Sequence, residues 1–223
     1  LFHAIRSVRL IKALLYNHVL VGAEHRFVLS CHLSTVVDIG ANRGQFSLAV
    51  RQWSPNAKVI SFEPLSAPSA IFRKVFSNDS SVTLYESAIG PGSGESVMHI
   101  SAKDDSSSLL PISALQDEIF PGTSEIGTVS VKVATLDSFI EDSQIPIKSL
   151  LKLDVQGFEL DALRGCETLL HKFDLIYCEC SFVELYSGQK LAADVIDWLF
   201  DRGFRIKGFY NTAYGRNGQT IQA

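Results

Sequence analysis

Apolar and polar positions along this chain switch between two periods. Thr35-Val36-Val37-Asp38-Ile39 is a β-branched run closing on an acid, and it breaks at Gly40-Ala41-Asn42-Arg43-Gly44 before an amphipathic segment opens at Phe46. That order predicts a strand, a tight glycine-bearing turn and a helix start, where an open α/β sheet meets its ligand. Phe46 to Trp53 keeps helical spacing and stops at the breaker Ser54-Pro55-Asn56. Lys58-Val59-Ile60-Ser61-Phe62-Glu63-Pro64 predicts a second strand ending in an acid, followed by a helix from about Pro68 to Phe76. Val82 to Ile89 predicts a third strand, running into Gly90-Pro91-Gly92-Ser93-Gly94. Strand–helix–strand–helix–strand is the first half of a doubly wound sheet.

Beyond it, Ser96 to Ile100 reads as a hairpin return. Residues 101–127 are polar and irregular, a loop long enough to be functional or mobile. Alternation resumes over Val129 to Val133, and Thr135-Leu136-Asp137-Ser138 reads as a turn capping a short helix. Ser149 to Gly157 is a second strand with an informative end, leading into a helix from Phe158 to about Leu170. Phe173 to Cys180 reads as a buried strand, Asp194 to Phe200 as a helix and Phe204 to Tyr210 as a strand. There is no internal repeat. The polar tail leaves a final strand missing or cut at Ala223, and a start at Leu1 without Met suggests a trimmed piece of a longer polypeptide.

Residues 1–29 are apolar with interspersed Arg6, Arg9, Lys12 and Arg26, so the uninterrupted run of a membrane span is absent. An amphipathic helix on a membrane surface is one reading; a helix covering a sheet edge or meeting a partner subunit is the preferred one. No small-residue cleavage site follows, which disfavours a signal peptide.

At 223 residues the chain suits one α/β domain rather than two. A net charge of −4 and the lack of a Lys/Arg run exclude a bulk attraction to nucleic acid. Cys31, Cys166, Cys178 and Cys180 form no disulfide framework, so a reducing, cytoplasmic setting is expected. Cys178 and Cys180 share a strand face but are an incomplete zinc set, and no metal is expected there.

The glycine turn discriminates between ligands. A dinucleotide fingerprint needs G-x-G-x-x-G to hold a pyrophosphate on backbone N–H groups. Here the frame is G-x-N-x-G, with Asp38 at the strand end, where a carboxylate repels a pyrophosphate and suits a cation. S-adenosylmethionine, with an ammonium, a sulfonium and no phosphate, fits that pattern.

Three landmarks then coincide: Asp38-Ile39-Gly40-Ala41-Asn42-Arg43-Gly44, Phe62-Glu63-Pro64, and Lys152-Leu153-Asp154-Val155-Gln156-Gly157-Phe158-Glu159. With Ser107-Ser108-Leu109 and Thr135-Leu136-Asp137 they resemble the FkbM family of S-adenosylmethionine-dependent methyltransferases, over about residues 34–210. The Lys-x-Asp-x-x-Gly-x-Glu stretch is the specific part. Gln156 stands where the family often has Glu, which makes it a weak candidate for acid–base work. The resemblance implies a class I, Rossmann-like fold: a doubly wound, mainly parallel seven-stranded sheet with one antiparallel strand near its edge. It also implies methyl transfer to a hydroxyl of a sugar, glycan or polyketide-type small molecule. The chain then divides into an N-terminal helical segment, 1–33, and a methyltransferase domain, 34–223, with a homo-oligomer left open.

Within that frame Asp38 and Gly40 face the methionine end of the cofactor, while Asn42 and Gly44 shape the turn; an N-cap role is the alternative for Asn42. Glu63, about twenty residues on, is placed to hold both ribose hydroxyls. Ser87 and Ala88 end the third strand where an adenine would lie. Asp154 and Glu159 are the catalytic candidates, with Glu179 a third carboxylate at the same rim. Glu159 also complements a helix macrodipole. Lys152 shares the strand face of Asp154, and a buried Lys needs an acid partner or an exit at an edge. A divalent cation on Asp154 and another carboxylate is a lesser option. His99 and His171 lack ligand-like spacing, and His171 reads as a helix C-cap. Ser107, Ser108 and Leu109 read as part of a lid. An NAD-dependent oxidoreductase is the rival enzyme, disfavoured by G-x-N-x-G and by the lack of a Tyr-x-x-x-Lys pair. A non-catalytic cofactor-binding module is the other rival.

Overall fold

Strand β1 (Thr35–Ile39) is buried along its whole length, as a strand covered on both faces must be. The computed structural model describes residues 8–223; Arg6 of the amphipathic run lies outside the described residues. Before β1 come α1 (Val8–Asn17), a 3-10 turn (Ala23–His25) and α2 (Arg26–Leu29). After it come α3 (Gln45–Trp53), β2 (Lys58–Phe62), α4 (Ser66–Val75), β3 (Val82–Tyr85), β4 (Ala88–Ile89) and β5 (Gly94–Ser101). Next are α5 (Ala114–Ile119), β6 (Glu125–Ala134), β7 (Ser149–Leu153), α6 (Glu159–Gly165) and α7 (Glu167–Leu170). The chain closes with β8 (Leu175–Cys178), α8 (Ala192–Asp201), β9 (Ala213–Tyr214) and β10 (Thr220–Gln222).

The main sheet runs β3-β2-β1-β7-β8, and every pairing in it is parallel. The doubly wound α/β architecture therefore holds, but among the described residues this sheet has five strands, not seven. Alternation sends Val37, Ile39, Ile60, Phe62, Leu151 and Leu153 to a core completed by Leu160, Leu163 and Val195 of α6 and α8. Val36, Val59 and Leu150 point the other way, against Phe46, Ala49 and Val50 of α3 and Leu29 of α2. The register also lines up Ser61, Asp38, Lys152 and Tyr177 as one polar row on that second face. The row passes under α3.

Several expected elements differ. The third strand breaks at Ser87: β3 pairs with β2, while Ala88–Ile89 run parallel to Val133–Ala134 in a second sheet ordered β4-β6-β5. Ser96 to Ile100 is no return on β4; β5 pairs antiparallel with β6. The helix after residue 158 is interrupted at Cys166, the C-cap of α6 and N-cap of α7. Phe204 to Tyr210 forms no ladder. Phe204 N–H donates to Leu199 O (3.1 Å) and the Arg205 guanidinium donates to the Phe200 and Phe204 carbonyls, so this stretch is tied to the end of α8. Beside β8, Cys180 and Ala223 instead exchange backbone bonds of 2.8 and 3.0 Å.

Leu10 and Ala13 of α1, with Val19, pack on Ala41, Leu48, Phe72 and Phe76, so the N-terminal segment does cover the domain. Its other side exposes Leu15, Tyr16, Leu20 and Phe27. Among the described residues no helix is long and apolar enough to cross a membrane.

Candidate active site

The carboxyl ends of β1, β2 and β7 open into a cavity of about 310 Å³, the position at which open α/β sheets bind ligands. Gly40 makes the floor possible. Its φ is +76°, and a Cβ there would lie 1.8 Å from the Asp154 carbonyl oxygen, so the β1 and β7 ends could not approach with any other residue. Asn42 also has positive φ (46°), with its side-chain oxygen accepting from Arg43 N–H at 2.7 Å. It is not the cap of α3; that position belongs to Gly44. Gly44 does not face the cavity: a Cβ on it would meet Phe76 at 2.6 Å, so it serves the packing of α3 on α4.

Asp38 needs correction. Its carboxylate is wholly buried under α3 rather than on the cavity wall. Oδ2 accepts from Ser47 Oγ (2.7 Å), and Lys152 Nζ lies 3.1 Å from Oδ1. Lys152 also donates to the Gly40 carbonyl (2.8 Å) and sits 3.8 Å from Asp154 Oδ2. Burial opposes its charge, but Asp38 and Asp154 outweigh burial and raise its pKa. Lys152 thus ties the acid beneath the floor to the acid at the rim, the paired alternative for a buried lysine.

Glu63 lines the cavity. Its Oε2 accepts from Asn42 N–H (2.9 Å) and its Oε1 from Leu65 N–H (2.8 Å), which leaves a lone pair on each oxygen for a ligand. Burial pushes its pKa up to about 7 despite those two donors. Ser87 and Ala88 line the same wall, with Ser87 Oγ donating to Ala88 O (2.9 Å).

The three candidate catalytic acids separate. Asp154 lines the cavity, its Oδ1 accepting from Gln156 Nε2 at 2.7 Å. Glu159 lies behind the turn: Oε1 accepts from Val155 N–H (3.2 Å) and Gly157 N–H (3.1 Å), and burial raises its pKa to about 7. Glu179 does not line the cavity either. Its Oε2 accepts from Gln156 Nε2 (3.0 Å), and burial with Asp154 and Glu159 nearby raises its pKa well above the usual range. Gln156 therefore bridges Asp154 and Glu179 with one amide nitrogen, while Tyr186 Oη donates to its carbonyl at 2.7 Å.

Residues 101–127 fold against the opening rather than forming a structureless loop. A 3-10 turn at Asp104–Ser106 is held by Arg43, whose Nε donates to Asp104 Oδ2 at 2.8 Å. Ser107 and Leu109 line the cavity, whereas Ser108 Oγ donates to the Gln156 carbonyl at 2.6 Å. His99 pairs with Glu125, and His171 is the C-cap of α7 beside Asp142. Glu24 and His25 also reach the cavity. Nothing in the local sequence marks them, because only the packing of residues 8–33 on α3 brings them there.

The family model described as the methyltransferase FkbM domain matches residues 38–206. The chain is 29% identical over 170 residues to 2-O-methyltransferase NoeI of Sinorhizobium fredii, covering 74% of this chain and 70% of that protein. It is 28% identical over 192 residues to Methyltransferase 1 of Beauveria bassiana, covering 78% and 73% respectively. Among solved structures, precorrin-6y C5,15-methyltransferase of Geobacter metallireducens superposes with a TM-score of 0.45 at 12% identity, covering 93% of this chain and 90% of that one.

Proposed function

The chain belongs to the FkbM methyltransferase family, and from that premise we propose that it is an S-adenosylmethionine-dependent O-methyltransferase acting on a hydroxyl of a sugar, glycan or similar small molecule. The observation that carries the donor assignment is Glu63. It is a buried carboxylate, anchored by two backbone N–H groups, with spare acceptor capacity turned into a cavity walled by Asn42, Ser87 and Ala88. Two vicinal hydroxyls suit it, since both bonds are charge-assisted. When bound, S-adenosylmethionine supplies an electrophilic methyl group.

Asp154 is the general base of this proposal. It is the one of the three candidate acids on the cavity wall, and Gln156 fixes its orientation. Asp154 would take the proton of the acceptor hydroxyl as that oxygen receives the methyl group that a bound donor would supply. Placement of the acceptor comes first; the base adds ~10²–10⁴-fold. Glu159 and Glu179 act behind it, holding the turn and the Gln156 bridge. The hydroxyl acceptor class is supported by the likeness to the Sinorhizobium 2-O-methyltransferase. Four free thiols suit a reducing cytoplasmic setting.

Calorimetry with S-adenosylhomocysteine tests the donor site. Binding that Glu63→Ala weakens at least tenfold is expected; undiminished binding in that variant removes the ribose assignment. A thermal-shift comparison with NAD separates the rival enzyme class.

A further inference from the structure

Glu24 and His25 stand at the cavity although both precede the region matched by the family model. The His25 ring packs edge-on against Phe46 (centroids 4.9 Å apart) and Tyr177 (5.6 Å). Its Nδ1 lies 3.1 Å from Tyr177 Oη, and that oxygen accepts from Asn211 Nδ2 at 2.7 Å. An amide nitrogen only donates, so the single Tyr177 hydroxyl hydrogen is free to go to Nδ1. In the neutral imidazole the proton then resides on Nε2. Burial lowers the pKa of His25, which favours that neutral form. Among the described residues, the Nε2–H faces Glu24 Oε1, at 3.5 Å.

This corner therefore presents an N–H donor and a carboxylate side by side. That pair complements an α-amino acid head: the ligand carboxylate accepts from Nε2–H and the ligand ammonium meets Glu24. The location agrees. Glu63 follows β2, whereas Tyr177, which holds His25, is on β8, and these two strands lie three spacings apart in the sheet, about 14 Å between their axes. The nucleoside and the amino acid head of one extended ligand belong at such separated ends.

We infer that Glu24 and His25 form the subsite for the amino acid head of the methyl donor, with Tyr177 and Asn211 as positioning residues that set the His25 tautomer. The subsite rests on S-adenosylmethionine being the donor.

The test compares S-adenosylhomocysteine with 5′-methylthioadenosine, which lacks the amino acid head, by calorimetry on the full chain. His25→Ala and Glu24→Gln are each expected to weaken S-adenosylhomocysteine binding about tenfold, the range for a hydrogen bond to a charged group. Affinity for 5′-methylthioadenosine is expected to stay the same, which also shows that the variants are folded. His25→Gln, with an N–H near the Nε2 position, is expected to recover part of the loss. Equal losses for both ligands, or no loss for either, overturn the subsite while leaving the donor intact. A wild-type chain that binds neither ligand overturns the donor reading itself, and the subsite with it.

Discussion

Lys152 and Asp38 face each other across adjacent strands, with Nζ 3.1 Å from Oδ1 and both side chains shut off from solvent. The same ammonium donates to the Gly40 carbonyl, so one charge pair fixes the glycine turn to β7 from beneath. Removing one partner strands the other in a medium that cannot solvate it. Lys152→Met and Asp38→Asn are each expected to destabilise the fold by about 3–5 kcal/mol in urea denaturation. The double variant is expected to be less destabilised than the sum. Additive losses would mean that the two groups do not act as a pair.

Gly40→Ala is expected to fail more completely. The added methyl meets the Asp154 carbonyl oxygen at 1.8 Å, and the backbone is left-handed at that point. The backbone fixes the position of the methyl and the oxygen is a main-chain carbonyl, so no side-chain rotation relieves the contact. Thermal unfolding should show a large drop in midpoint or no cooperative transition at all. A variant melting within a few degrees of wild type would refute the tight β1–β7 approach.

Glu159 makes stability depend on pH. Its folded pKa of about 7 lies above the ordinary value of 4.5, so the folded chain holds a proton that the unfolded chain releases. The stabilisation is fully present below about pH 4.5 and is lost as pH rises through about 7, amounting to about 3 kcal/mol over that window. Glu63 adds the same sign, with the same folded value of about 7. In Glu159→Gln, stability measured by urea denaturation should fall less steeply between pH 4.5 and 7 than in wild type. An unchanged slope would contradict the assignment.

Asp154→Asn preserves an oxygen that can accept from Gln156 and removes the base. Turnover with a hydroxyl acceptor is expected to fall ~10²–10⁴-fold, with S-adenosylhomocysteine affinity unchanged within a few-fold. Turnover retained within tenfold would move the proton transfer elsewhere.

The glycine turn, the acids at the β1, β2 and β7 ends and the order of the first strands and helices were legible because each depends on neighbours in sequence. Period, β-branching and breakers act over a handful of residues. Glu63 was reachable by its distance from the turn, and Lys152 by sharing a face with Asp154. The split at Ser87 was not legible, because Ala88 and Ile89 suit either sheet and only the presence of β6 decides between them. The same holds for Phe204 to Tyr210, whose apolar alternation suits a strand although its hydrogen bonds go to the end of α8. Asp38 illustrates the limit within the site. Its place at a strand end is written in the sequence, but whether its carboxylate faces ligand or lysine depends on the register of β7 against β1.

By itself the sequence determined the fold class, the family and which acids end which strands, since these follow from local pattern and from a motif carried in contiguous residues. Tertiary structure decided which of those acids reaches the cavity, and it alone brought Glu24, His25 and Tyr186 to their places. The reason is physical: a side chain's direction and partners are set by strands and helices packed from distant parts of the chain, and no short window of sequence contains them.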